Sequence, residues 1–195
     1  MSTREPLHRY IGHTDFVKTI ICVVLDHRAF LISGGADASI IVWDIGRRTK
    51  VQTLKGHKGA IQDLVVDPTT YTPSSSSVTV FSASSDREIR RWTIGHDQSF
   101  EAEHSQPIME HETSVYKLFF DSDDDLWTAS ADGTVKCLSR ERGWKADTVL
   151  THPDFVRDVV VDERGGWVVT ACRDEDVRVW DRAVCVPVFE YTMQL

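Results

Sequence analysis

The side chains best able to do chemistry in this chain are His, Ser or Thr, and Asp, and they come in sets. His13, Ser33 and Asp37 form the first. His57, Ser82 and Asp86, then His111, Thr128 and Asp132, then His152, Thr170 and Asp174 repeat it. A nucleophilic hydroxyl needs a base within hydrogen-bond reach and an acid to orient that base, so each set has the composition of a hydrolase triad. Recurrence argues against that reading. Catalysis would require four equivalent sites, and no G-x-S-x-G elbow accompanies any of the hydroxyls. The sets read better as structural hydrogen-bond clusters, and no catalytic residue is assigned.

Two ion-binding patterns fail on detail. Asp121-Ser122-Asp123-Asp124-Asp125 imitates the start of a calcium loop, but Leu126 stands where the sharp-turn Gly is needed and Asp132 where the bidentate Glu belongs. The run is expected to be a solvated turn between strands. His96, His104 and His111 are too widely spaced for a zinc site, and no Cys lies near them. Cys22, Cys137, Cys172 and Cys185 are scattered without a C-x-x-C pair. They are expected to be reduced core residues of an intracellular protein. No metal and no cofactor is expected.

The elements that carry the sets share one pattern. The stretches are Leu31–Asp44 (LISGGADASIIVWD), Val80–Thr93, Leu126–Ser139 and Val168–Asp181. In each, the hydroxyl lies four residues before the Asp, and six residues after the Asp comes Trp43, Trp92, Leu138 or Trp180. Each stretch reads as strand, tight turn, strand. An aliphatic run precedes each: Val17–Leu25, Ile61–Val66, Val115–Phe120 and Val156–Val161. The first is rich enough in β-branched residues to suit a strand buried on both faces. A fourth strand is expected at Lys50–Leu54 and Val186–Tyr191, and Pro6–Ile11 resembles such a strand as well. Four short strands in roughly 40–45 residues make one propeller blade.

The fold expected is therefore all-β, with repeats at about 12–54, 56–106, 110–150 and 151–191 inside one array spanning 6–191. Residues 67–77, DPTTYTPSSSS, form a flexible Pro/Ser/Thr-rich loop within the second repeat. At 195 residues with 41% hydrophobic content, the chain can bury a sizeable core. No apolar run approaches the roughly 18 residues of a membrane span, and the N-terminus lacks a secretory-signal pattern. A net charge of −8 argues against nucleic acid as the main partner.

Gly12-His13 and Gly56-His57 at unit starts, Asp in the tight turn and Trp43-Asp44 or Trp180-Asp181 at a strand end resemble the WD-repeat family of β-propellers. The resemblance covers about residues 6–191. It departs at Glu110-His111 and Thr151-His152, which lack the Gly, at Trp92-Thr93, and at Leu138-Ser139, where the third cluster loses its indole. The resemblance implies that the His bonds the turn Asp and the Ser or Thr, which in turn meets the Trp N–H. The four clusters are then His13, Ser33, Asp37, Trp43; His57, Ser82, Asp86, Trp92; His111, Thr128, Asp132; and His152, Thr170, Asp174, Trp180. Four blades are few for this family. The simplest expectation is an incomplete, open propeller, a fragment or truncated product with possible self-association through its open blade edges. A closed four-bladed ring and a dimer completing a larger ring are the alternatives.

The resemblance also implies that partners dock at the mouth of the central channel, through three positions per blade. These are Lys18, Gln62, Tyr116 and Arg157; Phe16, Ala60, Ser114 and Phe155; and Ala36, Ser85, Ala131 and Arg173. Phe16, Lys18, Tyr116, Phe155, Arg157 and Arg173 are the candidate protein-binding residues, an aromatic and cationic set on an acidic chain. The bland alternative is that the rings pack between blades and the charges are merely solvated. The function expected is a non-catalytic interaction scaffold of the cytoplasm or nucleus, binding other proteins or acidic or phosphorylated peptides. A substrate-recognition or ubiquitin-binding subunit of a degradation pathway is the alternative, although W-D-x-R is missing after both Trp-Asp pairs. A hydrolase ranks below both.

Overall fold

Aliphatic alternation punctuated by tight turns produces strands and, among the described residues, no helix. A computed structural model describes residues 6–95, 107–162, 164 and 166–192. Blade 1 contains β1 (Val17–Leu25), β2 (Arg28–Gly35), β3 (Ile40–Asp44) and β4 (Thr49–Leu54). Blade 2 contains β5 (Ile61–Val66), β6 (Ser77–Ser84), β7 (Glu88–Gly95) and β8 (Pro107–Glu110). Blade 3 contains β9 (Val115–Phe120), β10 (Leu126–Ser130), β11 (Thr134–Ser139) and β12 (Lys145–Thr151). Blade 4 contains β13 (Val156–Asp162), β14 (Trp167–Cys172), β15 (Asp176–Asp181) and β16 (Pro187–Thr192). Each blade is one antiparallel sheet with its strands in sequence order. The polar tail at 96–106, with His96 and His104, lies outside the described residues.

The second and third strands of every blade meet in a turn with the same backbone solution. The residue after the turn Asp is left-handed: Ala38 at φ 62°, Arg87 at 81°, Gly133 at 77° and Glu175 at 74°. Only one of these is glycine, so the turn must offset its strain locally. It does so through the Asp carboxylate, which accepts the N–H two residues on, from Ser39, Glu88, Thr134 and Asp176.

The core lies between blades, because side chains alternate across each strand. Phe30, Ile32 and Val42 of blade 1 meet Leu64, Val80 and Trp92 of blade 2. Phe81 and Ile89 meet Leu118, Leu126 and Leu138. Trp127 and Val135 meet Val159, Val168 and Trp180. The first and second blades approach so closely that a Cβ on Gly34 would lie 2.5 Å from Ile61 Cγ2. Buried ion pairs add to the later junctions: Arg140 reaches Asp67 at 2.7 Å, and Arg182 reaches Asp121 at 2.8 Å. Asp121 is therefore buried rather than solvated, and its carboxylate also accepts the Trp127 indole at 2.8 Å. The 67–77 segment bonds back to blade 1, with Val24 N–H donating to the Tyr71 hydroxyl and Asp26 N–H to the Ser75 carbonyl, both at 3.0 Å.

The inner strands pack in the series β1, β5, β9, β13, and no comparable packing joins β13 to β1 among the described residues. The propeller is open, and this corrects the expectation for the first strand. Ile61, Val115 and Val156 are fully buried, yet Val17 at the same repeat position is 56% exposed. Ile20 is 59% exposed where Leu64, Leu118 and Val159 are buried. Cys22, expected in the core, is exposed for the same reason, whereas Cys137 is buried. Residues 6–11 form no strand. Tyr10 instead stacks 5.4 Å from Trp43, leaving Leu7 and Ile11 in solvent.

Equivalent substitutions should therefore differ by position. Leu118→Ala removes a side chain packed between blades and should cost about 2–5 kcal/mol. Ile20→Ala, at the same repeat position on the open face, should stay within about 0.5 kcal/mol in dilute protein. Urea unfolding followed by tryptophan fluorescence measures both. Equal losses would mean that Ile20 has a buried role.

Candidate functional site

Two sets of side chains qualify as sites, the His–Asp–hydroxyl clusters and the channel mouth. In the clusters, the loop entering each inner strand places its His over the following hairpin. His13 Nδ1 lies 3.0 Å from Asp37, and Nε2 lies 2.8 Å from Ser33 Oγ. The corresponding distances are 2.8 and 2.7 Å for His57 with Asp86 and Ser82, and 2.8 and 2.9 Å for His111 with Asp132 and Thr128. Trp43 and Trp92 each donate an indole N–H to the hydroxyl at 2.8 Å. The network assigns one set of roles: indole to hydroxyl, hydroxyl to Nε2, and Nδ1–H to carboxylate.

The carboxylate also takes the N–H of the residue after the His, from Thr14, Lys58 and Glu112. At Asp37, burial works to raise the pKa, but Thr14 N–H, the Ser39 hydroxyl and His13 outweigh it and bring it down to about 2. Asp86 and Asp132 are likewise held well below the usual carboxylate range. Burial opposes the shift in both, and hydrogen bonds led by His57 and His111 outweigh it.

Blade 3 has Leu138 at the indole position, so Thr128 receives no tryptophan. Trp144 packs elsewhere, 4.8 Å from Phe81 and under the Arg140 guanidinium at 4.7 Å. Blade 4 differs more. His152 Nε2 and the Trp180 indole still meet Thr170, at 2.8 and 3.0 Å. His152 Nδ1, however, has no hydrogen-bond partner among the described residues, and Arg178 pairs with Asp174 at 2.8 Å. The next residue is Pro153, which has no N–H to give the carboxylate. Burial first, and Arg178 second, push the His152 pKa down.

His57, Asp86 and Glu88 lie close enough together to suggest a cation site, their ligand atoms all within 4.8 Å. Those atoms already have protein partners. His57 uses both ring nitrogens, and Glu88 holds Arg90 at 2.6 Å.

At the positions that the resemblance places at the channel mouth, one backbone bond per blade fixes the geometry. The N–H of Ala36, Ser85, Ala131 and Arg173 donates to the carbonyl of Phe16, Ala60, Ser114 and Phe155, at 2.7 to 2.9 Å. Two of the three mouth positions are thus joined in every blade. In blade 2, Gln62 Nε2 also donates to Ser85 Oγ, at 2.5 Å. Across blades 3 and 4, Arg157 lies over the Tyr116 ring at 4.2 Å, and Arg173 lies over Phe155 at 5.3 Å. Four of the six candidate residues therefore form two ring–guanidinium pairs, Arg157 with Tyr116 and Arg173 with Phe155. Phe16, 82% exposed, and Lys18 stand apart on blade 1.

The sequence matches the WD domain, G-beta repeat family over residues 4–44, 48–93, 103–138 and 144–181. The chain belongs to the WD-repeat family. It is 37% identical, over 93% of its length, to an uncharacterized WD repeat-containing protein of Schizosaccharomyces pombe. It is 28% identical over 90% of its length to the nuclear distribution protein nudF of Aspergillus niger, and 28% identical over 77% to pre-mRNA-processing factor 19 of Bos taurus. It spans 47%, 38% and 28% of those three proteins. Membership supports a protein-interaction role in general terms. No helix among the described residues is long and apolar enough to cross a membrane.

Sequence reasoning missed the inter-blade acids. Asp63 accepts Leu118 N–H at 3.0 Å from blade 3 and the Thr19 hydroxyl at 3.4 Å from blade 1. Lys117 lies 3.2 Å from the same carboxylate. An acid inside an otherwise aliphatic inner strand was the available signal.

Two outcomes follow for the clusters. Ser82→Ala strands an indole donor and an imidazole acceptor and should cost about 2–4 kcal/mol, whereas Thr128→Val strands only the imidazole and should cost about 1–2 kcal/mol. Equal costs in thermal melts would contradict the hydrogen-bond roles assigned above. Because the folded-state pKa of Asp37 is depressed, its stabilisation is fully present above the unfolded value of 3.8 and is lost as pH falls through about 2. Asp37→Asn should flatten the acid limb of stability against pH, as measured by urea unfolding across that window.

Proposed function

We propose that this WD-repeat chain is a non-catalytic scaffold of the cytoplasm or nucleus whose channel mouth binds an acidic or phosphorylated peptide, chiefly across blades 3 and 4. The pairing of Arg157 with Tyr116 and of Arg173 with Phe155 carries this reading. A guanidinium lying over a ring keeps its N–H donors available at the edge, where a carboxylate or phosphate can take two of them. Neither arginine forms an ion pair among the described residues. The patch is local on a chain of net charge −8, which favours a short acidic segment over a nucleic-acid backbone.

The hydroxyls of the clusters support scaffold over hydrolase. Ser33, Ser82, Thr128 and Thr170 are all buried, and three of the four are held by an indole as well as by imidazole. The repeat boundaries at about 12–54, 56–106, 110–150 and 151–191 belong to the same reading, with the mouth positions recurring once in each.

Fluorescence anisotropy with a degenerate phosphoserine peptide library, and its unphosphorylated counterpart, tests the proposal. The phosphorylated pool should bind, and Arg157→Glu with Arg173→Glu should weaken it by at least about tenfold, equivalent to about 1.4 kcal/mol. Unchanged binding in a variant with an unchanged melting temperature would refute the assignment of this patch.

A further inference from the structure

The two open faces of the array are not alike, and their difference points to what covers them. Every closed junction joins the same two surfaces. One is the face that a blade turns toward the following blade: Ile21, Phe30 and Ile32 in blade 1, Val65 and Phe81 in blade 2, Phe119 and Trp127 in blade 3. The other is the face turned toward the preceding blade: Leu64, Val80 and Trp92 in blade 2, Leu118 and Leu126 in blade 3, Val159, Val168 and Trp180 in blade 4.

Blade 4 leaves the first kind of surface uncovered. Val160, at the position of Val65 and Phe119, is 45% exposed. Trp167, at the position of Phe30, is 44% exposed. Blade 1 leaves the inner part of the second kind uncovered, at Val17 and Ile20, 56% and 59% exposed, in a groove lined also by Ile11 and Leu31; farther out, Tyr10 covers Trp43, which is buried. The open faces are thus the two halves of a junction the chain already makes three times.

The polar register matches too. At the junction of blades 2 and 3, the inner-strand Asp63 accepts the N–H of Leu118 across the gap. Asp158 occupies that position in blade 4. Like Asp63, it accepts the N–H of the next residue in its own strand, at 2.9 Å in both cases. The backbone N–H that stands where Leu118 stands is that of Ile20, on the open face of blade 1.

We propose that a second copy of this chain docks head to tail, its blade 1 covering blade 4 of the first. The contact is heterologous, since the two surfaces differ, so two copies can close on each other or extend into a longer row. Apolar faces of this kind exclude water on docking in the same way as the internal junctions. This inference goes beyond the peptide-binding reading and does not depend on it. A propeller that binds no peptide can still associate in this way.

Sedimentation velocity of the purified chain over a range of concentrations, at about 0.15 M salt to screen the exposed Lys18 and Arg157, is the test. The wild-type chain, with a monomer mass of 22.1 kDa, should sediment as a dimer or a longer row. Ile20→Asp and Val160→Asp alter opposite faces at positions about half exposed, so both should fold, with circular dichroism and melting as the check. Each variant alone should be monomeric. An equimolar mixture of the two should recover a dimer, because each supplies the face the other lacks. A wild-type chain that stays monomeric throughout would overturn the proposal and leave the faces to blades of another chain. A Val160→Asp variant that still dimerises would overturn it in favour of a symmetric contact between two blade 1 faces. Failure of the mixture to associate would overturn it as well.

Discussion

Each blade depends on one buried carboxylate in the turn between its second and third strands. A carboxylate removed from water is costly unless donors replace its hydration. In blades 1 to 3 they arrive from both sides: an imidazole and a backbone N–H from the entering loop, and a backbone N–H from the turn itself. The His of the loop and the Asp of the hairpin are 21 to 29 residues apart in sequence, so satisfying the charge also fixes where the inner strand begins. The hydroxyl and the indole extend the same network into the interior, where partly satisfied groups would be costly. Blade 4 shows what happens when a donor is missing. Pro153 has no N–H to give, and Arg178, from within the sheet, compensates the carboxylate instead.

Between blades the physics changes from polar convergence to alternation. Each sheet has two apolar faces, and each face requires a neighbour. Stability in such an array is a sum of blade terms and nearest-neighbour junction terms. The junctions here are not uniform. Arg140 and Arg182 reinforce the second and third through buried acids, while the first relies on close backbone approach at Gly34 and on the 67–77 segment folding over blade 1. Burial raises the Cys137 thiol pKa, in keeping with a side chain that only fills space.

Much of the architecture was legible because the repeat writes it four times. The spacing from hydroxyl to Asp to Trp placed both central strands of every blade, and the aliphatic runs marked the inner strands to within a residue. Burial was less legible, because it depends on a neighbour that the local sequence does not encode. Val17–Leu25 has the composition of a doubly buried strand, and Cys22 that of a core thiol, yet Val17, Ile20 and Cys22 lie on a face without a neighbour while Val23 and Leu25 are buried. Asp121 looked like part of a solvated acidic run because its partner, Arg182, is about 60 residues away. At the mouth, residue types suggested six binding positions. Only the fold shows that Arg157 meets Tyr116 across blades 3 and 4 and that Arg173 meets Phe155 within blade 4.

The left-handed residue at each hairpin tip has a consequence for how such a protein can change. A turn of this kind ordinarily favours glycine, but here the carboxylate beside it holds the backbone, and Ala38, Arg87, Gly133 and Glu175 all occupy the site. In blades 1, 2 and 4 the tip does not require glycine. Arg87 and Glu175, a cation and an anion, are exposed there, Ala38 is half-buried, and Gly133 is buried against the His152 carbonyl. In blades 2 and 4 the exposed tip can therefore take new side chains by single substitutions, while the network that specifies the blade stays intact a residue away; in blade 3 a Cβ would meet the His152 carbonyl at 2.9 Å.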